Sequence, residues 1–205
     1  LGDVYKRQHY VGGFFINFVK TLQMSFYNYL IDYTLTETAP VVEPVTLQEA
    51  KNYCRVTTDA DDTLITTMIV EARQAIEKVA GLSLIPKTAV VFFKNTGGNF
   101  PLPYGPVNSV SEIYDLRSGQ IVAPSQYLLV GDKYPSLVYP TYDLIRATYT
   151  TGFTTIPSDL KIAILDQVNY SYENRGVDSF HYDNMGICEK AMRACQRHSR
   201  VSPIL

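Results

Sequence analysis

Apolar residues recur at helical spacing from Leu64 onward: Leu64, Ile65, Met68, Ile69, Ala72, Ile76 and Val79. Glu71, Arg73, Gln74, Glu77 and Lys78 fall on the other face, so the pattern predicts an amphipathic helix over 59–80, packed on one side. Thr58 or Asp59 is placed as its cap, Asp61 and Asp62 at the positive end of its dipole, and Gly81 as its left-handed stop. A shorter helix over 46–55 opens with Thr46-Leu47-Gln48-Glu49, in which Thr and Glu are spaced to satisfy each other's backbone donors. A third is predicted over 157–175, with Leu160, Ala163, Ile164, Val168 and Tyr172 in one stripe and Pro157 and Asp159 at its start. A fourth, over 184–198, carries Cys188, Ala191, Met192 and Cys195 on one side.

Between the second and third helices the texture changes to β. Ala89 to Phe93 is an apolar run, Val107 to Leu116 alternates, and short runs follow at Tyr127 to Val130 and Asp143 to Tyr149. Gly97-Gly98, Arg117 to Gln120 and Gly131 to Pro135 read as turns, and Leu102 to Pro106 as a rigid loop. The expected fold class is therefore α+β. It is expected to be mainly a helical bundle (46–55, 59–80, 157–175, 184–198) with a small antiparallel β-rich insertion over about 86–150.

Residues 1–44 read as an N-terminal extension and linker, and 45–205 as one domain with its β insertion within 82–152. LGDVYKRQ (Leu1 to Gln8) resembles translated adapter sequence, which makes Met24 the expected start. The apolar run Tyr10 to Val19 is too short to span a membrane and, although Lys6 and Arg7 precede it, no small-x-small cleavage site follows. Thr34 to Pro44, rich in Thr, Glu and Pro, reads as extended linker.

Composition narrows the function classes. Of 205 residues, 18 are Lys or Arg and 20 Asp or Glu, a formal net charge of −2 that excludes polyanion binding through bulk charge. Three Cys do not make a disulfide framework and fit a reducing compartment. The 16 Tyr are unusual beside no Trp; they suit either polar protein interfaces or strands. No phosphate-cradling glycine loop or nucleophile elbow occurs, and His9, His181 and His198 are scattered. Cys188 and Cys195 lack metal-ligand spacing and read as small core residues. Asp59, Asp61 and Asp62 are explained by a helix start, and Asp166 and Glu173 by a solvated or interfacial helix face. No catalytic, cofactor or metal residues are therefore assigned, and no enzyme is expected.

One charge pattern stands out. Lys190, Arg193, Arg197 and Arg200 recur at steps of three, four and three, gathering four cations along one side of the last helix, with Glu189 nearby. That row is either a face for DNA or an acidic partner, or a solvated face near a helix C-terminus, where cations are favoured.

The colinear set of segments from 45 to 176 resembles tailed-bacteriophage head-tail connector (adaptor) proteins, in the longer branch with a β-rich insertion. The matching segments are Thr46 to Val56, the acidic turn Asp59 to Asp62, Glu71 to Glu77 and Ala80 to Ile85, followed by Leu102 to Val110, Thr148 to Phe153, Ile156-Pro157 with Leu160 to Ile164, and Tyr172 to Arg175. The resemblance implies a structural virion protein at the head-tail neck, made in the host bacterial cytoplasm. It implies a homo-oligomeric ring of twelve subunits under the portal protein, extending the channel for the passing genomic DNA and docking a downstream neck or tail protein. No membrane partner and no cofactor are implied. On this reading Lys190, Arg193, Arg197 and Arg200 face the DNA channel or the portal. The alternatives are a stopper or tail terminator, which the strong helices disfavour, and an enzyme with an unrecognised site.

Overall fold

The computed structural model describes residues 30–39, 41–94, 99–139, 144–175 and 186–199. The readings that concern Leu1 to Gln8, Met24, His9, His181, the Gly97-Gly98 turn and Arg200 lie outside these residues. Eight strands and four α-helices follow one another within them. The strands are β1 (Leu30–Glu37), β2 (Lys87–Lys94), β3 (Asn99–Pro101), β4 (Val107–Asp115), β5 (Gln120–Ile121), β6 (Leu128–Val130), β7 (Ser136–Val138) and β8 (Leu144–Thr151). The helices are α1 (Leu47–Cys54), α2 (Asp62–Ala80), α3 (Ser158–Glu173) and α4 (Glu189–His198).

The strands form two antiparallel sheets, β1-β2-β8-β4-β5 and β3-β7-β6. Period-two alternation sends Ala89, Val91 and Phe93 of β2 and Ile145, Ala147 and Tyr149 of β8 to one face. Phe100 of β3 and Leu137 of β7 meet them from the second sheet, so the sheets enclose one apolar core between them. Phe93 and Phe100 bring their ring centroids to 5.6 Å.

The helices hold a second core. Ile65, Ile69, Ala72 and Ile76 of α2 pack with Leu160, Ala163, Ile164 and Val168 of α3 and with Ala191, Ala194 and Cys195 of α4. α1 carries the expected reciprocal cap: Thr46 accepts from the Glu49 backbone N–H at 3.2 Å, and Glu49 accepts from the Thr46 N–H at 2.8 Å. It ends at Arg55, whose left-handed φ of 57° closes the last turn.

Two crossings join the halves. Leu82, Ser83, Leu84 and Ile85 run buried from α2 into β2. Gly152 leads from β8 towards α3 with φ +125°, and a Cβ there would lie 2.4 Å from the Ile85 carbonyl oxygen. Only glycine allows that approach.

The expected helical bundle with a small β insertion is overturned. The chain is α+β, with two sheets forming a half of their own. Four strands escaped the sequence pattern for identifiable reasons. β3, β5 and β7 are only two or three residues long, too short for alternation to register. β1 lies upstream, where Thr and Glu suggested a linker; Thr34 to Glu37 is extended as expected but is paired along β2. Helix boundaries shift as well. The second helix begins at Asp62 because Asp59 to Asp61 form a turn, and the fourth at Glu189 because Gly186 is left-handed and Cys188 extended.

Candidate functional site

The basic row on the last helix is real over its described part. Lys190, Arg193 and Arg197 each expose more than half of their side chains. It is more neutralised than its sequence suggests. Lys190 Nζ lies 3.3 Å from Asp166 Oδ1, and Arg197 Nε 3.4 Å from Asp159 Oδ2. Asp159 and Asp166 are seven apart on α3, as Lys190 and Arg197 are on α4, so two antiparallel helices bring matching charges together at both rungs. Arg193, between them, pairs with Glu189 on its own helix. His198 joins the lower rung, with Nε2 2.8 Å from Asp159 Oδ2. Burial alone would raise the Asp159 carboxyl, but the hydrogen bond from His198 and the Arg197 charge outweigh it and hold the group below its ordinary range. Besides Glu189, α3 thus supplies two more offsetting acids, Asp159 and Asp166.

Asp166 has a further partner. The Tyr53 hydroxyl of α1 donates to its Oδ1 at 2.7 Å, and this bond pushes the phenol up to about 12. α1, α3 and α4 therefore converge on one carboxylate.

The acidic turn before α2 does not work as a side-chain cap. Asp61 occupies the cap position without a side-chain bond to the helix. It accepts instead from the Tyr172 hydroxyl of α3 at 2.6 Å and pairs with Arg175 at 3.4 Å. Asp59 and Asp62 each lie 2.6 Å from Lys51 Nζ of α1. The three acids tie α2 to its neighbours, while the first donor of the helix, the Asp62 N–H, goes to the backbone oxygen of Asp59 at 3.3 Å. Cys188 and Cys195 belong to the helical core, and burial pushes the Cys195 thiol up to about 12. Among the described residues no group of three His, Cys, Asp or Glu could hold a metal, and no helix is long and apolar enough to cross a membrane.

The most buried charges lie where the pattern placed a polar helix face. Arg73 is 1% exposed and Glu77 5%. Arg73 reaches Glu77 at 2.8 Å, Glu43 at 2.8 Å and Glu37 of β1 at 3.0 Å. Glu77 also accepts from Lys87 of β2 at 2.7 Å and from the Leu84 N–H at 2.7 Å. Burial alone would lower the Arg73 pKa, but the surrounding carboxylates outweigh it and raise it. This cluster clamps α2, the chain before α1, and the first two strands of the large sheet. Helical spacing cannot reveal it, since a charged residue buried by pairing has the same letter as a solvated one. The signal available was that Arg73 and Glu77 stand four apart, within pairing reach on a helix.

The first two helices lie within a recognisable unit. Residues 44–114 match the sequence profile of the phage gp6-like head-tail connector protein family. The matched segment spans α1, α2, the buried crossing and the strands up to β4. No curated protein matches the chain. Among solved structures, the neck of an empty gene transfer agent particle computed with C6 symmetry is similar at 21% identity and TM-score 0.60, covering 84% of this chain and 97% of that one. The virion of a native gene transfer agent particle is similar at 22% identity and TM-score 0.59, and the neck of a native particle computed with C12 symmetry at 22% and 0.56, with the same coverage. The likeness thus takes in the sandwich as well as the helices.

Proposed function

We propose that the chain is a head-tail connector that assembles as a ring in the neck of a phage-like particle, beneath the portal protein, and docks the next neck or tail protein. The observation that carries this reading is the joint one: a connector-family segment, within a fold that spans 97% of a chain from a particle neck. A ring of twelve, matching the portal, extends the channel through which genomic DNA passes.

The exposed row Lys190, Arg193 and Arg197, with Arg200 beyond the described residues, faces the portal or the channel. Since Lys190 and Arg197 also bind α3, Arg193 is the cation whose reversal tests function most cleanly. Its partner is a solvated one on the same helix, worth about 0.3–0.5 kcal/mol.

The test mixes the full chain with the portal protein encoded beside it and images the mixture by electron microscopy. A second ring stacked coaxially on the portal, absent without this chain, is the expected result. A folded chain that never associates with the portal at high concentration would sink the connector reading. Arg193→Glu in the same assay is expected to weaken stacking while leaving thermal stability unchanged; normal stacking would remove the basic row from the docking role.

A further inference from the structure

Charges are matched one for one along the described part of the basic row. Lys190, Arg193 and Arg197 face Asp166, Glu189 and Asp159, three cations against three acids. His198, the remaining basic group there, also lies on Asp159. Beside the row, Lys161 of α3 faces Glu49 of α1 at 3.8 Å, a pair that adds no net charge either.

The two members of each rung between α3 and α4 are held differently. The Asp166 side chain is 12% exposed, and the Tyr53 hydroxyl of α1 fixes its Oδ1 at 2.7 Å. That of Asp159 is 35% exposed; its Oδ1 accepts from the Leu160 N–H at 3.0 Å, and both its oxygens lie within 2.9 Å of His198 Nε2. Lys190 and Arg197 are 74% and 61% exposed and reach these acids at 3.3 and 3.4 Å from long side chains. The carboxylates are therefore fixed counter-charges, set beneath the row by the packing of three helices.

Ion pairs this exposed add little to stability, so the matching matters more for what the face attracts. Affinity for nucleic acid grows with the number of phosphates that cations neutralise. A fixed carboxylate beside a cation repels the phosphate that the cation draws in, and cancels the field that would steer a polyanion to it.

We infer that Asp159 and Asp166 are specificity-determining residues, which keep the exposed α4 row from gripping nucleic acid. With both charged, the face lies beside a polyanion without holding it. With both neutralised, the same helix presents Lys190, Arg193 and Arg197 against Glu189 alone. The inference takes from the proposed function only that the row is an interaction face. Coaxial stacking of the wild-type chain on the portal tests that function separately, so either reading can fail while the other stands.

Asp159→Asn and Asp166→Asn, combined in the full chain, test the inference. Asparagine keeps an acceptor for the Leu160 N–H and for the Tyr53 hydroxyl, so charge is removed with little change of shape. Binding to a fluorescein-labelled DNA duplex of mixed sequence is read by anisotropy across a salt series. At low salt the double variant is expected to bind at least about tenfold more tightly than the wild-type chain. Its plot of log affinity against log salt is expected to be steeper by about two, because two released cations engage two more phosphates. Adding Lys190→Gln, Arg193→Gln and Arg197→Gln is expected to return the affinity to the wild-type level. Equal affinity and slope in the wild-type chain and the double variant would overturn the inference, and so would a gain that survives loss of the three cations. Circular dichroism and thermal unfolding establish that each variant is folded. Should the double variant fail that check, Asp166→Asn alone takes its place, with half the gain expected on the logarithmic scale; no gain there would overturn the inference equally.

Discussion

Arg73 and Glu77, one turn apart on α2, form a 2.8 Å ion pair that is almost wholly shielded from water. Removing one member of such a pair strands the other. Arg73→Met is expected to leave Glu37, Glu43 and Glu77 without their shared cation and to cost about 3–5 kcal/mol, because a buried charge without its partner retains its desolvation penalty. Equilibrium denaturation of the full chain measures this. A change below about 1 kcal/mol would mean that Lys87 alone satisfies Glu77.

Gly152 offers a sharper steric test. Its Cβ position is 2.4 Å from the Ile85 carbonyl oxygen and 2.9 Å from the Pro86 Cα, both backbone atoms that cannot swing aside. Gly152→Ala is expected to destabilise by about 3 kcal/mol or more, combining a disfavoured φ with displacement of the buried crossing. The midpoint of chemical unfolding reads it directly.

Arg55 is the converse case. It closes α1 at φ 57°, where a side chain is penalised, and its backbone N–H bonds back to the α1 carbonyls. Arg55→Gly is expected to raise stability by about 1 kcal/mol, since glycine occupies that region without the Cβ cost. A loss of stability would show that the Arg55 side chain contributes contacts worth more than the backbone relief.

Acid should loosen the helical half through three carboxylates. Lys51 holds Asp59, the Tyr172 hydroxyl holds Asp61, and His198 with Arg197 holds Asp159 against burial, each below the ordinary value of 3.8. A lowered folded-state pKa stabilises above the unfolded value and loses that contribution as pH falls through the folded one. The contribution of these groups is therefore expected to be level from neutral pH to about 5 and to decline below about 4. Asp61→Asn, which keeps an acceptor for Tyr172 but cannot titrate, should flatten part of that decline in a pH series of thermal unfolding.

The alkaline limb has the opposite sign. The Tyr53 phenol is raised to about 12 by its bond to Asp166, and the Tyr172 phenol is raised by its bond to Asp61. Raised folded-state values stabilise fully below the unfolded pKa and are lost as pH climbs through them. Spectrophotometric titration is expected to show a late-ionising phenol that Tyr53→Phe removes. Ionisation of Tyr53 together with the exposed tyrosines would mean that the bond to Asp166 does not persist in solution.

Much of the helical half was legible because its signals are local. The reciprocal Thr46–Glu49 cap, the Ile65 to Ile76 stripe and the Leu160 to Val168 stripe each follow from spacing and appear as expected. The sandwich was under-read because its small sheet is built from strands of three residues, and because β1 joins β2 across the 49 residues from 38 to 86. Pairing at that distance leaves no trace in a local pattern. The Arg73 cluster was invisible for a related reason: the carboxylates that bury it arrive from β1 and from the chain before α1. On α4 the row of cations could be read from spacing, but the facing acids Asp159 and Asp166 belong to another helix and required the fold.

The junction between the halves has a mechanical meaning. Ionic clamps from Arg73 and Glu77, a buried strand-like crossing and a glycine pressed against backbone leave no slack between helices and sandwich. A pull applied to the sandwich is therefore delivered to α2 without stretching a tether. Under tension the molecule should yield as one brittle body, with a single rupture in place of two separate extensions.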